Sequence, residues 1–257
     1  NLQSDIQSDI SRFKVSNCSS LNKIEAFFKG HIDHLEIEDL PALAESSFEA
    51  PSGCKGSDSS SDCKFEKIGS KQLPVFKGAW KGLSKMDIFD CPNLGNLSGL
   101  HVLPDLRVVN LKNLPALQSL FPPDSPALPT LSHLKAEKVC VQAPAGFEAM
   151  PGLSTLEWID CSLASMAGVE ANKALKSVDL TGSDLKSIAP FAELPVLISI
   201  RVSKCEDIRP KPPRVLLEGD VLASELSRAT GGKITTGARA EFLKVVELLN
   251  TGSNDDI

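Results

Sequence analysis

Residues 175–196 read LKSVDLTGSDLKSIAPFAELPV, and residues 197–205 continue with LISIRVSKC. In the first stretch Leu175 is followed by apolar residues three and five positions later, and the second stretch has the same pattern from Leu197 onwards. An apolar-x-apolar pair has the period of two that is typical of a short strand with one buried face. The pattern therefore predicts two equivalent units, each containing a short strand.

The same template extends in both directions along the chain. It places apolar residues at positions 1, 4, 6 and 9 of each copy, and usually at position 12. Nine copies fit, and they begin at residues 10, 32, 60, 83, 106, 131, 153, 175 and 197. A spacing of 22 to 28 residues, kept over nine copies, indicates a solenoid in which each copy forms one turn. Positions 4 and 6 are then expected to face the core, with positions 3, 5 and 7 on the other face of the sheet.

The copies resemble leucine-rich repeats, whose pattern LxxLxLxx(N/C)xL they follow with Cys in the Asn/Cys slot of four copies: Cys18, Cys91, Cys161 and Cys205. The 22-residue copies are most similar to the short repeats of the protein phosphatase 1 regulatory subunit and of the internalins. The resemblance implies an α/β solenoid, a horseshoe with short parallel strands on the concave face and loops or short helices on the convex face. No copy has Asn at position 9, so Cys, Ser or the backbone has to make the hydrogen bonds of the usual Asn ladder.

Three parts of the chain are predicted: a short N-terminal flank (1–9), nine leucine-rich repeats (10–208) and a C-terminal capping flank (209–257). The stretch RPKPPR at the start of the last part is expected to end the solenoid, because proline cannot donate to a further ladder. One or two helices are predicted beyond it, and the second has an apolar face suited to covering the open end of the core. The opposite end has only nine residues before its first repeat, so a partner or upstream sequence is expected to cover it.

The seven cysteines are predicted to be mostly buried thiols. Neighbouring strands lie about 4.8 Å apart, so cysteines at one position two turns apart are separated by about 9.6 Å, beyond the ~7 Å Cα limit of a disulfide. Cys140, next to a ladder position, is left unassigned. A bridge between Cys54 and Cys63 is left open, because both lie in or near the one 28-residue repeat. Five cysteines are expected in the core: Cys18, Cys63, Cys91, Cys161 and Cys205.

Motifs for catalysis are absent from the sequence. It contains no phosphate-binding loop, no glycine-rich dinucleotide motif, no zinc-protease motif and no nucleophile elbow. Cysteines and histidines do not occur at zinc-finger spacing, and Cys140 is expected to lie beyond hydrogen-bond reach of His133. We therefore expect a protein that is not an enzyme and has neither a metal nor a small-molecule cofactor.

The candidate binding surface is the outward face of the predicted sheet. At positions 3, 5, 7 and 8 it carries ten basic and eleven acidic side chains, and the whole chain has a net charge of -6. This balance favours a protein partner over nucleic acid, whose binding requires many unopposed cations. Phe89 and Val108 lie outward on neighbouring turns and are predicted to form one apolar spot. The candidate partner-binding residues are Phe89, Val108 and Ile159, with Lys85, Asp87, Asp90 and Lys112 as a charged rim.

The predicted function is non-catalytic recognition of a protein on the concave surface. Two alternatives are the recognition half of a larger signalling, effector or ligase protein, and a structural subunit of a large assembly. No apolar stretch reaches the length of a membrane span, so membrane insertion is not expected. The compartment stays open between two readings. A start at Asn and the sequons at Asn17 and Asn96 favour a secreted or cell-surface protein, whereas unpaired buried cysteines favour the cytoplasm.

Overall fold

The computed structural model describes residues 1–7, 9–28, 32–50, 61–78, 80–122, 125–139, 141, 146–161, 163, 165–166, 168–183, 190–191, 194–201 and 216–218. Its strands are β1 (Leu2–Ile6), β2 (Ile10–Ser16), β3 (Lys23–Phe28), β4 (Ile32–Leu40), β5 (Glu45–Ala50), β6 (Ser61–Ile68), β7 (Val75–Gly78), β8 (Leu83–Phe89), β9 (Val108–Leu114), β10 (His133–Val139), β11 (Thr155–Ile159), β12 (Ser177–Asp179), β13 (Ser199–Arg201) and β14 (Leu216–Glu218). They form two sheets.

The long sheet contains ten strands in the order β2, β4, β6, β8, β9, β10, β11, β12, β13 and β14. From β2 to β13 every neighbouring pair is parallel. Leu134, for example, lies between Val109 and Leu156, which are 25 and 22 residues away in the chain. These offsets equal the spacings of the sequence repeats. The predicted solenoid of stacked parallel strands, with its leucine-rich repeat pattern, is therefore confirmed.

Positions 4 and 6 of the repeats form the inner face of the long sheet, as predicted. From the second to the eighth turn these side chains are at most 1% exposed: Leu35, Ile37, Cys63, Phe65, Met86, Ile88, Val109, Leu111, Leu134, Ala136, Leu156, Trp158, Val178 and Leu180. Positions 3, 5 and 7 of the same strands are half-buried or exposed. Each turn thus covers the core residues of the turn before it, and burial is continuous along the stack.

Position 8 of each of the first eight repeats has positive φ, the left-handed backbone conformation. Asn, Asp and Gly tolerate this conformation best, because a short polar side chain or none relieves the clash with the backbone. Two turns have Lys instead. The eight residues are Asn17, Asp39, Lys67, Asp90, Asn113, Lys138, Asp160 and Gly182. The chain accordingly leaves the sheet at the same point in every one of these turns.

A second, short sheet lies on the return side of the first turns. It contains the parallel strands β1, β3, β5 and β7, whereas the sequence pattern led us to expect loops or short helices there. In β3 the residues Ile24, Ala26 and Phe28 are buried and alternate with more exposed ones. This alternation is the period of two of a half-buried strand. β1 lies within the predicted N-terminal flank and pairs with β3.

An aromatic cluster fills the space between the two sheets. Phe13 of the long sheet meets Phe28 of the short sheet edge to face, with ring centroids 5.2 Å apart. Phe76 similarly meets Trp80 at 5.3 Å, and the indole N–H of Trp80 donates to the Lys77 carbonyl oxygen. Edge-to-face geometry is favourable for aromatic pairs, and their area makes them large contributors to a core. Aromatic side chains thus form the packed core between the two sheets of the first turns.

The later turns return through short 3-10 helices, at Leu100–Val102, Phe147–Ala149 and Val169–Ala171. Each follows a glycine with positive φ, which lets the chain reverse without a Cβ clash. The predicted C-terminal helices lie outside the described residues. Of the predicted C-terminal flank, Leu216–Glu218 is described, and it pairs with β13 in antiparallel fashion. In the described part of the chain no helix has the length and hydropathy needed to cross a bilayer.

Candidate functional site on the outer face of the long sheet

The parallel register arranges the outward side chains of the long sheet in three rows, which we call the outer face. Equivalent positions of successive turns lie side by side, so each row runs across the strands. The position-3 row is Arg12, His34, Asp62, Lys85, Val108, His133, Thr155, Ser177 and Ser199. The position-5 row is Lys14, Glu36, Lys64, Asp87, Asn110, Lys135, Glu157, Asp179 and Arg201. The position-7 row is Ser16, Glu38, Glu66, Phe89, Lys112, Glu137 and Ile159.

Phe89 and Val108 lie in different rows. Val108 is the register partner of Lys85, whereas Phe89 is the register partner of Lys112. Four residues along a strand correspond to about 13 Å, with the position-5 row in between. The prediction that Phe89 and Val108 form one apolar spot is therefore wrong, because the register pairs equal positions and leaves these two residues four positions apart along the strands.

Ile159 is a third, separate apolar residue. It lies in the same row as Phe89 but beside Glu137, three turns further along the stack. Three strand spacings amount to about 14 Å. Phe89, Val108 and Ile159 are all half-buried. The outer face thus offers three isolated apolar positions within a polar surface.

Ion pairs cover the outer face in the first turns. The ammonium of Lys14 lies 2.6 Å from a carboxylate oxygen of Glu38, and the ammonium of Lys64 lies 2.8 Å from the other oxygen of the same carboxylate. Hydrogen bonds from these two lysines lower the pKa of Glu38, and the same bonds raise the pKa of Lys14 and Lys64. Lys64 also pairs with Glu66 at 2.6 Å. The charged side chains of this region are therefore paired with each other.

A second group of ion pairs occupies the later turns. Lys112 lies 2.9 Å from Glu137, and this hydrogen bond raises the pKa of the lysine and lowers the pKa of the glutamate. Lys135 and His133 both approach Glu157, at 2.9 and 3.3 Å. These pairs join side chains of neighbouring turns and link the strands on the surface, as the hydrogen bonds do in the backbone.

Phe89 lies between the two groups of ion pairs. Its row neighbours are Glu66 on one side and Lys112 on the other, and each of these has its own ion-pair partner, Lys64 and Glu137 respectively. The aromatic side chain is consequently an apolar position inside a rim of charges whose partners are already fixed.

The predicted acidic rim residues are held by neighbours that the sequence pattern did not reveal. Asp87 accepts hydrogen bonds from Lys85 at 2.8 Å and from the amide of Asn110 at 2.7 Å. Asp90 accepts one from Asn113 at 2.7 Å. Both amides occupy the same repeat position as the aspartate they bind, one turn later. Comparing equal positions of neighbouring turns would have found them.

The cysteines divide into buried and exposed thiols. Cys63, Cys91 and Cys161 are reduced and buried, as predicted. Burial raises the pKa of Cys63 well above its usual value and that of Cys91 to about 11. Cys18 is exposed, so its predicted burial is wrong: it lies in the first of the described turns, whereas each of the three buried thiols has a described turn before it.

The remaining predictions about cysteines and metals concern Cys54, Cys63, Cys140 and Cys205 and a possible metal site. Cys54, Cys140 and Cys205 lie outside the described residues, and Cys63 appears as a thiol without a disulfide. Within the described ranges, no group of three or more His, Cys, Asp or Glu side chains is arranged to hold a metal ion.

Comparisons with known proteins give a likeness in structure and none in sequence. No protein-family model matches the chain, and no curated protein matches it in sequence. Among solved structures, the chain is similar to the leucine-rich repeat domain of the type III effector XopL, with 21% sequence identity and a TM-score of 0.35. The match covers 67% of this chain and 69% of that one. The fold described above rests on the register of the strands themselves.

Proposed function

We propose that this leucine-rich repeat solenoid is a non-catalytic recognition module, and that its partner is a protein bound on the outer face of the long sheet. Phe89 carries the proposal, because it is a partly exposed aromatic side chain inside a rim of fixed charges. An apolar centre with a polar rim is the usual anatomy of a protein interface, and aromatic residues are frequent at its energetic centre.

The charge pattern supports a protein partner rather than a polyanion. Acidic and basic side chains are interspersed along the position-5 row, and most of them are paired with each other, as Lys14 is with Glu36 and Lys135 is with Glu157. A protein binds nucleic acid through cationic side chains that displace the counterions of the phosphates. A row whose lysines are already paired with carboxylates offers few such side chains. Paired charges instead fix the orientation of a partner that presents a complementary pattern.

The spacing of the apolar residues supports an extended contact. Phe89 lies about 13 to 14 Å from both Val108 and Ile159, and these two are about 16 Å from each other, so one compact pocket cannot include all three. A partner that touches all three has to cover several turns. Solenoids provide such surfaces because each stacked repeat adds a strip to the same face.

The proposal is tested by isolating a partner and measuring its affinity for two variants. The partner is identified by cross-linking mass spectrometry in cells of the source organism, and the purified pair is then measured by surface plasmon resonance. We expect Phe89→Ala to weaken binding at least about fivefold without changing the melting temperature.

A matched control is Val75→Ala, which removes a 54% exposed apolar side chain from the short sheet. Its affinity should equal that of the unmodified protein. If Val75→Ala weakens binding and Phe89→Ala does not, the partner binds the short sheet and the proposal fails.

A further inference from the structure

The ionisable side chains of the outer face differ in whether they have a partner. At positions 3, 5 and 7 of the described turns, each of them lies 2.6 to 3.6 Å from a side chain of the opposite kind, acidic or basic. Position 8, where the chain turns out of the sheet, is different. Asp39, Lys67, Lys138 and Asp160 are exposed there and form no ion pair with any described residue. The position-8 row is Asn17, Asp39, Lys67, Asp90, Asn113, Lys138, Asp160 and Gly182.

Two members of the position-8 row are lysines in the left-handed backbone conformation. Lys67 has a φ of 51° and Lys138 has a φ of 54°. The clash of Cβ with the backbone disfavours a long side chain there, whereas the Asn found at Asn17 and Asn113 is tolerated. Neither ammonium group has a partner among the described residues that could offset this cost. Backbone strain is concentrated at binding sites, so the two lysines indicate a contact with another molecule.

The unpaired charges of the row follow a fixed order along the stack. Lys67 and Lys138 are three strand spacings apart, about 14 Å. Asp39 and Asp160 lie one spacing of about 4.8 Å further out, one on each side. Between the lysines, Asp90 accepts a hydrogen bond from the amide of the next turn. A partner with complementary charges therefore needs two acidic groups about 14 Å apart, flanked on both sides by basic groups.

The distance between the lysines distinguishes an extended segment from a helix. In an extended segment, residues i and i+4 point to the same side and lie about 14 Å apart. In a helix, about 14 Å corresponds to nine or ten residues, and residues so far apart point to different sides. The row thus fits acidic residues at i and i+4 of an extended segment, with basic residues at i−2 and i+6. These outer residues are about 27 Å apart, against about 24 Å between Asp39 and Asp160, a difference that flexible side chains can cover.

The centre of such a segment lies close to Phe89. Residue i+2 points to the same side as residue i and lies about 7 Å from it. Phe89 immediately precedes Asp90 of the row, and it lies in the turn after that of Lys67, about 5 Å further along the stack. An apolar residue at i+2 therefore meets the half-buried ring of Phe89.

We propose that the position-8 row and Phe89 bind an extended segment of a partner protein whose alternate residues are basic, acidic, apolar, acidic and basic. The segment runs across the ends of the strands from the second to the seventh turn. Its acidic residues contact Lys67 and Lys138, and its basic residues contact Asp39 and Asp160. This inference rests on the proposed function of the outer face and specifies the chemistry of the partner.

The first test uses the full chain and three synthetic peptides of equal composition, with blocked ends. KSESLSESK has the proposed order, ESKSLSKSE exchanges acidic and basic residues, and KSESLESSK places the two glutamates three residues apart. Three residues put the glutamates on opposite sides of an extended chain but on one side of a helix. Affinities are measured by NMR titration of the isotope-labelled protein. We expect KSESLSESK to bind at least about fivefold more tightly than either of the others, since like charges disfavour the wrong partner.

The second test removes the two unpaired cations. The double variant Lys67→Asn, Lys138→Asn should bind KSESLSESK at least about fivefold more weakly. Its melting temperature should be unchanged or higher, because Asn suits the left-handed conformation that both lysines adopt. Lys81→Asn is the matched control, at an exposed lysine before the start of β8, and should leave the affinity unchanged.

The outcomes separate this inference from the proposed function. Equal binding of the three peptides, no binding of any, or an unchanged affinity of the double variant overturns the inference. Equal binding of KSESLESSK alone also overturns it, because the site then does not require an extended segment. If a partner isolated from cells is weakened by Phe89→Ala and not by the double variant, the inference fails while the proposed function of the outer face stands. A partner that is unaffected by both overturns both.

Discussion

The hydroxyl of Ser183 donates a hydrogen bond of 2.9 Å to the carbonyl oxygen of Trp158, one turn earlier. The thiols of Cys91 and Cys161 reach back to the preceding turn from the same position of their own turns. Position 9 thus supplies a buried donor between turns, whether Ser or Cys stands there. In these three turns the contact takes the place of one from Asn, whereas Leu40, Ile68, Leu114 and Val139 occupy position 9 in four others.

Removing the Ser183 hydroxyl should destabilise the protein. Ser183→Ala leaves the buried carbonyl of Trp158 without this donor, and we expect a loss of about 1 to 3 kcal/mol in the free energy of unfolding. Ser183→Cys should recover part of the loss. Urea unfolding measures both, with Ser20→Ala at an exposed position as the control. If Ser183→Ala is as stable as the control, the hydrogen bond from position 9 does not stabilise the fold.

The two faces of the long sheet should respond differently to truncation. Leu180→Ala empties part of the core at a side chain that is 0% exposed and should cost about 2 to 5 kcal/mol. Thr155→Ala, on the outer face, should stay within about 0.5 kcal/mol. Equal losses in urea unfolding would contradict the register, since a shift of one residue exchanges the two faces.

Thiol modification should distinguish Cys18 from the buried cysteines. In the native protein, iodoacetamide should label Cys18 quickly and leave Cys63, Cys91 and Cys161 unmodified. Burial both shields the buried sulfurs and, by raising the pKa of Cys63 and Cys91, keeps those two as unreactive thiols. Mass spectrometry of digested samples, labelled with and without denaturant, gives the result for each site. Rapid native labelling of Cys91 would contradict its place in the core.

The stability contributed by Glu38 should depend on pH. The two lysine hydrogen bonds lower the pKa of Glu38 in the folded state, so its contribution is present above the pKa of the unfolded chain and is lost as the pH falls through the folded pKa. Glu38→Gln should therefore be less stable than the unmodified protein at pH 7 and equally stable in acid. Urea unfolding across this range measures the difference. Glu148→Gln, at an exposed glutamate, is the control for the substitution itself.

The repeat register could be predicted from sequence because burial at positions 4 and 6 recurs with a fixed offset. Leu134 and Leu156, identified as equivalent by spacing alone, are register partners in the structure. The short sheet was missed because the template ended at position 12, before the alternation in Lys23–Phe28. The predicted apolar spot does not form because Phe89 is at position 7 and Val108 is at position 3, and the register pairs equal positions.

The exposure of Cys18 has a different cause. Its local sequence fits the same template as Cys91 and Cys161, so no local pattern distinguishes the three. Burial of position 9 depends on the turn before it, and Cys18 is in the first of the described turns. The charge pairs likewise depend on which residues of neighbouring turns meet, as Lys14 and Glu38 do across 24 residues of sequence.

The aromatic cluster between the two sheets contains one of the chain's two optical reporters. The protein has two tryptophans and no tyrosine. Trp80 lies in the two-sheet part of the solenoid, whereas Trp158 is buried in the later turns, beyond the short sheet. In a stack whose turns contact only their neighbours, the two parts can lose structure at different denaturant concentrations. Trp80→Phe and Trp158→Phe variants would each leave a single emitter, so intrinsic fluorescence follows one part of the solenoid at a time without an added dye.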